Sequence, residues 1–368
     1  MGLTEKFLVP ALLAEKSEKT EAIQRLEENY NKDIPFPSPK KVIFTFIDLF
    51  AGIGGMRIAF QNLGGQCVFS SEIDEQAKKT YSLNFGEIPA GDITKINENN
   101  IPNHCILTAG FPCQAFSIAG KRAGFKDTRG TLFFDVARII KAKQPKAFFL
   151  ENVKGLLNHK GGKTLATILN VLRNDLGYIV PEPKIVNAKN FGVPQNRERI
   201  FIVGFRKDLG IKESDFIYPE PTDTTKTIRD IMEEQVVSAK FYLSTQYLKC
   251  LEEHKARHEA KGNGFGYEIK DLDGISNAIV TGGMGRERNL IIDKRLKDFT
   301  PVTHIKGEVN RNGIRRMTPR EWARLQGFPD NFKIEVSDAS AYRQFGNSVA
   351  IPAIQATAKN LVEIIAKV

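Results

Sequence analysis

The ten residues 41–50, KVIFTFIDLF, constrain the fold more than any other stretch of this chain. A run that is almost continuously apolar, with β-branched and aromatic side chains, suits a strand covered on both faces, as in a parallel sheet. The run is not isolated. A glycine-rich turn and a helix ending at glycine, MRIAFQNLG, come next, and QCVFSSEID, CILTAGFP, AFFLENV and RERIFIVGF read as further strands. Between or after them, TLFFDVARIIKAK and KTLATILNVLRNDLGY have the spacing of helices. Strand and helix alternate to about residue 207, which predicts a doubly wound α/β domain.

Beyond that point the rhythm breaks. Residues 208–315 are polar and irregular, with clusters such as KGNGFGY and TGGMGRERN, and predict a separate loop-rich domain. The pattern recovers with a helix at TPREWARLQGF and a last helix from about Pro352 to the end. Upstream, residues 1–33 have apolar side chains at helical spacing and read as a helix, and DIPFPSPK, 33–40, reads as a linker. A length of 368 residues fits one large domain and a smaller one. No run of eighteen apolar residues predicts a membrane span, and no secretory signal is legible, so a cytoplasmic location is expected. The formal net charge of +10 favours a polyanionic partner such as nucleic acid, although a generic basic protein would carry it too. The four cysteines form no C-x-x-C pair and make no zinc spacing with the five histidines, so no metal site is expected. Their scatter suits a reducing compartment better than a disulfide framework.

Candidate chemistry gathers at the carboxyl ends of the predicted strands, where open α/β sheets bind ligands. The first strand ends in DLFAGIGG, 48–55, and a strand, a glycine turn and a helix start make a nucleotide-binding corner. The pattern Gly52-x-Gly54-Gly55 is not G-x-G-x-x-G, and by itself it reads equally as a structural tight turn. Glu72 closes the next strand about twenty residues on, where a carboxylate accepts hydrogen bonds from ribose hydroxyls, and Asp92 in GDIT stands at the next expected strand end. GFPCQAFS, 110–117, places Cys113 at the start of a loop after a strand. An accessible loop cysteine can be a nucleophile, whereas a lone cysteine is more often a small buried residue. Its neighbours favour the nucleophile: Glu151 in ENV lies at the same sheet edge, and Arg197 and Arg199 in QNRERI share a face by the strand period of two.

In order, DLFAGIGG, Glu72, GDIT, GFPCQAFS, DTRGTLFFDVARI, ENV, QNRERIF, RRMTPREWARLQGFP and QFGNSVAIP resemble the motif set of the bacterial DNA (cytosine-5)-methyltransferases, over residues 41–207 and 314–357. The resemblance implies a Rossmann-like, S-adenosyl-L-methionine-dependent methyltransferase domain, residues 41–222 plus 336–368, and a smaller target-recognition domain with its hinge at 223–335. Residues 1–40 are then an N-terminal extension and linker. It implies that Phe50, Gly52, Gly54, Gly55, Glu72, Ile73, Asp92, Pro112, Leu132, Asn347 and Ser348 surround the cofactor. Ile73 replaces a tryptophan that follows the glutamate in a similar enzyme, so that wall of the pocket is expected to differ. Cys113 corresponds to the nucleophile that adds to C6 of cytosine, Glu151 to the carboxylate at N3 and the exocyclic amine, and Arg199 to the residue at O2, with Arg197 beside it.

A base inside a duplex is out of reach, so the reaction implies base flipping. The loop 116–130 carries Lys121, Arg122, Lys126 and Arg129 between glycines, as a lid closing over DNA would. Ala119 stands where a similar enzyme uses a loop serine to fill the emptied stack, which leaves that role unassigned. GNGFGYEI and NAIVTGGMGRERNLI fall where the family places its two recognition loops. There Thr281 matches a threonine before the second loop, Arg286, Arg288 and Asn289 are candidates for base-edge or phosphate contacts, and Phe265 lies where a relative inserts glutamine into the stack. The expected partner is double-stranded DNA, met by a monomer, with a cognate restriction endonuclease acting in the same system without a stable complex. Three competing readings are a tRNA cytosine-5-methyltransferase, which the long recognition region disfavours, a Rossmann dehydrogenase, which lacks its glycine motif here, and a non-catalytic DNA-binding protein, which would not need Cys113, Glu151 and Arg199 together.

Overall fold

A computed structural model of the protein describes residues 33–112, 132–222, 225–282, 284–302 and 307–368. The expected helix of residues 1–33 lies almost wholly outside the described residues. The apolar run at 41–50 forms strand β1, Phe44–Leu49, and a tight turn leads from it into helix α1, Gly55–Gln61. Strand β2, Gly65–Ser71, and helix α2, Glu75–Phe85, come next, and then β3, Ile106–Gly110. Helix α3, Leu132–Lys143, leads to β4, Ala147–Val153, and helix α4, Lys163–Asn170, widens into a π-type turn before the short strand β5, Tyr178–Ile179. Strands β6, Lys184–Asn187, β7, Gln195–Asn196, and β8, Glu198–Arg206, complete this half.

The main sheet has seven strands in the order β2-β1-β3-β4-β8-β5, with β6 also paired to β8. Strands β2, β1, β3 and β4 are mutually parallel, and β8 runs antiparallel to β4. Two consequences fix the site. The chain winds to one side of β1 for β2 and to the other for β3, so β1 and β3 flank a topological switch point, where the loops leaving the strand ends diverge and open a crevice. Because β8 is reversed, its first residues arrive at the edge where the parallel strands end, with Val153 opposite Arg199.

Packing follows the strand alternation. On β4, Ala147 and Phe149 face a core with α1 and the last helix, whereas Phe148 and Leu150 face a core with α3 and α4. On β8, Phe201, Val203 and Phe205 join the first core, and Ile200 and Ile202 the second. Burial on both faces is what the unbroken apolar runs had predicted.

The irregular stretch after residue 207 holds more order than its composition suggests. It contains helix α5, Thr245–Glu259, strand β9, Ser276–Asn277, paired to β7, and strands β10, Leu290–Ile292, and β11, Ile314–Arg316, paired to each other. Helices α6, Pro319–Leu325, α7, Asp338–Asn347, and α8, Ile351–Ile365, follow. Neither α2, α5 nor α7 was foreseen. Their apolar residues are sparse, and their starts are set by the caps Asp74, Ser244 and Ser337. This part has two small cores of its own, one around Tyr242 and Leu296 and one around Leu248 and Leu290. Yet Ile228, Ile231, Ile279, Ile291, Met317, Trp322, Phe328 and Phe332 are buried in the first large core. The stretch 33–40 is also docked rather than loose: Phe36 packs between Phe85 and Phe332, and its amide donates to Asn84 O at 3.0 Å.

Candidate active site

A cavity of about 560 Å³ opens at the carboxyl edge of the sheet. Each parallel strand delivers a loop to it: Phe50 and Gly52 after β1, Glu72 and Ile73 after β2, Phe111 and Pro112 after β3, and Glu151 to Val153 at the end of β4. Backbone conformation makes the first loop possible. Phe50 and Gly52 have φ of 57° and 56°, and a Cβ built on Gly52 would meet no neighbouring atom within 4 Å, so its face is open to a ligand. The amide of Gly52 donates to Glu72 Oε2 at 2.8 Å, and the amide of Asp74 donates to Glu72 Oε1 at 2.8 Å. Glu72 thus joins the first two strand-end loops and still turns its carboxylate to the cavity.

Asp92 reaches the cavity by a different route from the one expected. It follows Ala90, which bridges Ser71 at the sheet edge, and it caps the turn Ile93–Lys95 rather than ending a strand of the sheet. Its carboxylate accepts from Thr94 Oγ1 at 2.8 Å and from Thr94 N at 3.0 Å, and these bonds hold its pKa below the usual range. Leu132 and Asn347 line the cavity as expected, while Gly54, Gly55 and Ser348 stand behind its wall. A Cβ on Gly54 would lie 2.2 Å from the Phe85 ring, and one on Gly55 would lie 2.8 Å from Ser348 Oγ. These positions let α1 pack closely, so their part in the pocket is to set its shape.

At the other end of the cavity, Arg199 Nε sits 3.1 Å from Glu151 Oε1. The second oxygen, Oε2, lies over Gly110, where a Cβ would come within 3.6 Å of it. Burial pushes the Glu151 carboxyl upward, and the Arg199 and Arg197 charges partly offset it. Asn152, which sequence reasoning passed over, is buried beside it and donates from Nδ2 to Phe111 O at 2.8 Å. That bond fixes the backbone immediately before Cys113. Cys113 itself, with Lys121, Arg122, Lys126 and Arg129, lies outside the described residues.

Arg197 lines the cavity; its two Nη groups donate to backbone carbonyls, while its buried Nε has no partner. Nη1 donates to Ile279 O at 2.9 Å, and Nη2 donates to Ser348 O at 2.5 Å and to Gly346 O at 3.3 Å. Burial, and then the neighbouring Arg199, push its guanidinium down to about 9.

The sequence of the whole chain decides what this site is. The profile of the C-5 cytosine-specific DNA methylases matches residues 44–363. The chain belongs to that family. It is 72% identical over 323 residues to the type II methyltransferase M.HpaII of Haemophilus parainfluenzae, covering 87% of this chain and 89% of the relative. It is 41% identical over 324 residues to the type II methyltransferase M.HhaI of Haemophilus parahaemolyticus, covering 86% and 93%. Its fold is also that of the S. pombe Dnmt2 methyltransferase, with a TM-score of 0.64 at 19% identity over 88% of this chain and 99% of that one. The enzyme is a DNA (cytosine-5)-methyltransferase that uses S-adenosylmethionine.

The cavity of the methylase fits that cofactor. Its volume is in the range for a ligand of this size. The carboxylates of Glu72 and Asp92 stand at its wall, and the backbone at Gly52 is open beside them. Ile73 lies on the same wall and is 68% exposed.

The residues of 223–335 expected to face DNA differ in exposure. Thr281 is exposed at the cavity, and its amide lies 3.0 Å from where a Cβ on Gly346 would stand. Phe265 is 40% exposed and packs edge-on to His258, 5.4 Å between ring centres. Arg286 is exposed, with its guanidinium over the Tyr342 ring, and Arg288 is exposed and paired to Glu268 at 2.9 Å. Asn289 does not face DNA: it is buried, accepts from Asn277 N at 2.8 Å and donates to Gly285 O at 3.2 Å. A buried amide side chain bonded to two backbone groups shapes the loop. Among the described residues no group of three metal-ligating side chains occurs, and no helix is long and apolar enough to cross a membrane.

Proposed function

We propose that this methylase modifies one cytosine within a specific site of double-stranded DNA, acting as a monomer and as the methylating member of a type II restriction-modification system. The observation that carries the mechanism is the Glu151–Arg199 pair, buried at one end of the cavity and level with the loop that leads into Cys113. S-adenosylmethionine, when bound, supplies an electrophilic methyl on its sulfonium, and Phe50, Gly52, Glu72, Asp92 and Asn347 hold it.

The flipped cytosine enters beside Glu151. Its ring is a poor nucleophile at C5 because it is aromatic. Cys113 adds as thiolate to C6, which breaks the conjugation and moves an electron pair toward C5. Glu151, raised in pKa by burial, donates a proton or a strong hydrogen bond to N3 and drains density from C6 as the thiolate attacks. Arg199, held by Glu198 O at 2.8 Å and 3.1 Å from Glu151 Oε1, faces O2 and offsets the charge that develops there. Once C5 carries the methyl group, a base removes the C5 proton. The electron pair of that bond expels Cys113 as thiolate and restores the aromatic ring, and the proton lent to N3 returns to Glu151. Arg197 positions the surrounding loops and does not touch the base.

Target choice belongs to residues 223–335, where Thr281, Arg286, Arg288 and Phe265 are the exposed candidates for DNA contact and Asn289 serves the loop. Phosphate contacts from Lys121, Arg122 and Arg129 supply affinity without choosing sequence.

A duplex with 5-fluorocytosine at the target tests the chemistry. Fluorine cannot leave C5 as a proton does, so the wild-type enzyme should be trapped in an adduct that survives denaturing electrophoresis and maps to Cys113. Cys113→Ser should bind DNA and form no adduct. An adduct on Cys67, Cys105 or Cys250, or full turnover by Cys113→Ser, would overturn the mechanism.

A further inference from the structure

The wall of the cavity beside Ile73 holds an arginine that no motif singled out. Arg343 on α7 and Asp74 at the start of α2 both line the cavity, and Nη2 of Arg343 lies 3.3 Å from Asp74 Oδ2. Asp74 is fixed on its other sides: Oδ1 accepts from Gln76 N at 2.8 Å and Ala77 N at 3.0 Å, and its own amide is held by Glu72. One residue on, Gln344 donates to Gln76 O at 2.8 Å and accepts from Thr80 Oγ1 at 2.9 Å, which locks α7 to α2. The Arg343 side chain is nevertheless 52% exposed. A planar cation is therefore held at the cavity by Asp74, which directly follows the exposed Ile73 and lies two positions after Glu72.

We propose that Arg343 binds the cofactor by laying its guanidinium against the adenine ring of S-adenosylmethionine, with Asp74 holding it in place. The proposal rests on the reading that Glu72 holds the ribose in this cavity. With a ribose at Glu72, the next lining residues, Ile73 and Asp74, and Arg343 paired to Asp74 are the wall offered to the base. Isoleucine offers that base apolar area but no plane to stack on. A guanidinium is planar, weakly hydrated and attracted to a π face, and an ammonium matches only its charge. The ion pair to Asp74 restricts the side chain before the cofactor arrives, so less freedom is lost on binding. The same pair argues against a role at the cofactor's carboxylate, since Asp74 already neutralises this cation and the carboxylate lies across the ribose from the base.

Calorimetry with two ligands separates these roles. S-adenosylhomocysteine carries base, ribose and carboxylate, and 5′-methylthioadenosine keeps the base and ribose without the carboxylate. Arg343→Ala should weaken both by the same factor, roughly fivefold, and Arg343→Lys should recover less than half of that loss. Unchanged affinity for both ligands would overturn the proposal, and so would a loss confined to S-adenosylhomocysteine. Glu72→Ala serves as the reference. If it also leaves both affinities unchanged, the cavity is not the cofactor site and the underlying reading fails as well. If Glu72→Ala weakens binding and Arg343→Ala does not, only the role of Arg343 falls.

Discussion

Glu151 and Asp48 are both buried carboxyl groups, and their neighbours give them opposite tasks. Glu151 opens on a cavity and faces Arg199, so its raised pKa keeps a proton available where a base would sit. Glu151→Gln should lower kcat by about 10²–10⁴-fold, the range for loss of a general acid, and leave the affinity for S-adenosylhomocysteine unchanged. Steady-state kinetics with calorimetry checks both. Asp48 is sealed under the cofactor loop: Oδ1 accepts from Thr108 Oγ1 at 3.1 Å and Oδ2 has no partner. Burial pushes its carboxyl up to about 7. A folded-state pKa above the unfolded one favours the protonated native form. The stabilisation is complete below the unfolded pKa near 4 and is lost as pH rises through about 7. Asp48→Asn should therefore gain stability relative to wild type between pH 5.5 and pH 8.5, by a few kcal/mol at most. Thermal melts across that range decide it, and a difference independent of pH would show that Asp48 stays charged or neutral throughout.

Among the elements, the start of β8 carries the widest span of duties. Arg199 faces Glu151, while Arg197, two residues earlier, ties three segments together: β7–β8, the segment at Ile279, and the end of α7 at Gly346 and Ser348. Removing its guanidinium takes the donor from Ile279 O and Gly346 O, at about 1–3 kcal/mol each, while Ser348 O keeps Gln326 Nε2 at 3.3 Å. Arg197→Met should lower the melting temperature and, because Thr281 and Asn347 hang from the segments it joins, should also relax the choice of target. Bisulfite sequencing of substrate DNA would reveal methylation at near-cognate sites. A destabilised variant that keeps full fidelity would confine Arg197 to stability alone.

At the scale of the whole molecule, the packing does not divide where the composition changes. A region drawn at 223–335 cuts through the first large core, because Ile228, Ile231, Met317, Trp322, Phe328 and Phe332 are buried there. The small cores around Tyr242 and Leu248 lie within 237–316. Exchange of residues 237–316 for those of a relative with another target should move the methylated site and keep most of the stability, provided positions 279 and 291 stay apolar. Exchange of 223–335 should cost several degrees more in melting temperature. An active chimera of either kind that keeps the original target would place specificity elsewhere.

Local chemistry made much of this protein legible before any tertiary contact was known. Two-sided burial demands unbroken apolar strands, so β1, β3, β4 and β8 could be read directly, and the strand ends marked Glu72, Glu151 and Arg199. The ordered motifs then pointed to the family. Three kinds of feature depended on residues far apart in sequence. The reversal of β8, which brings Arg199 to Glu151, is a matter of pairing and leaves no local trace. Helices α2, α5 and α7 have few apolar residues and are held by caps and by neighbours, as Gln344 is by Thr80 and Gln76. The tasks of Arg197, Asn289 and Arg343 hang on which partner each side chain meets. A donor's partners are set by the folded chain around it, and sequence spacing alone could not distinguish an arginine that faces a base from one that holds three carbonyls.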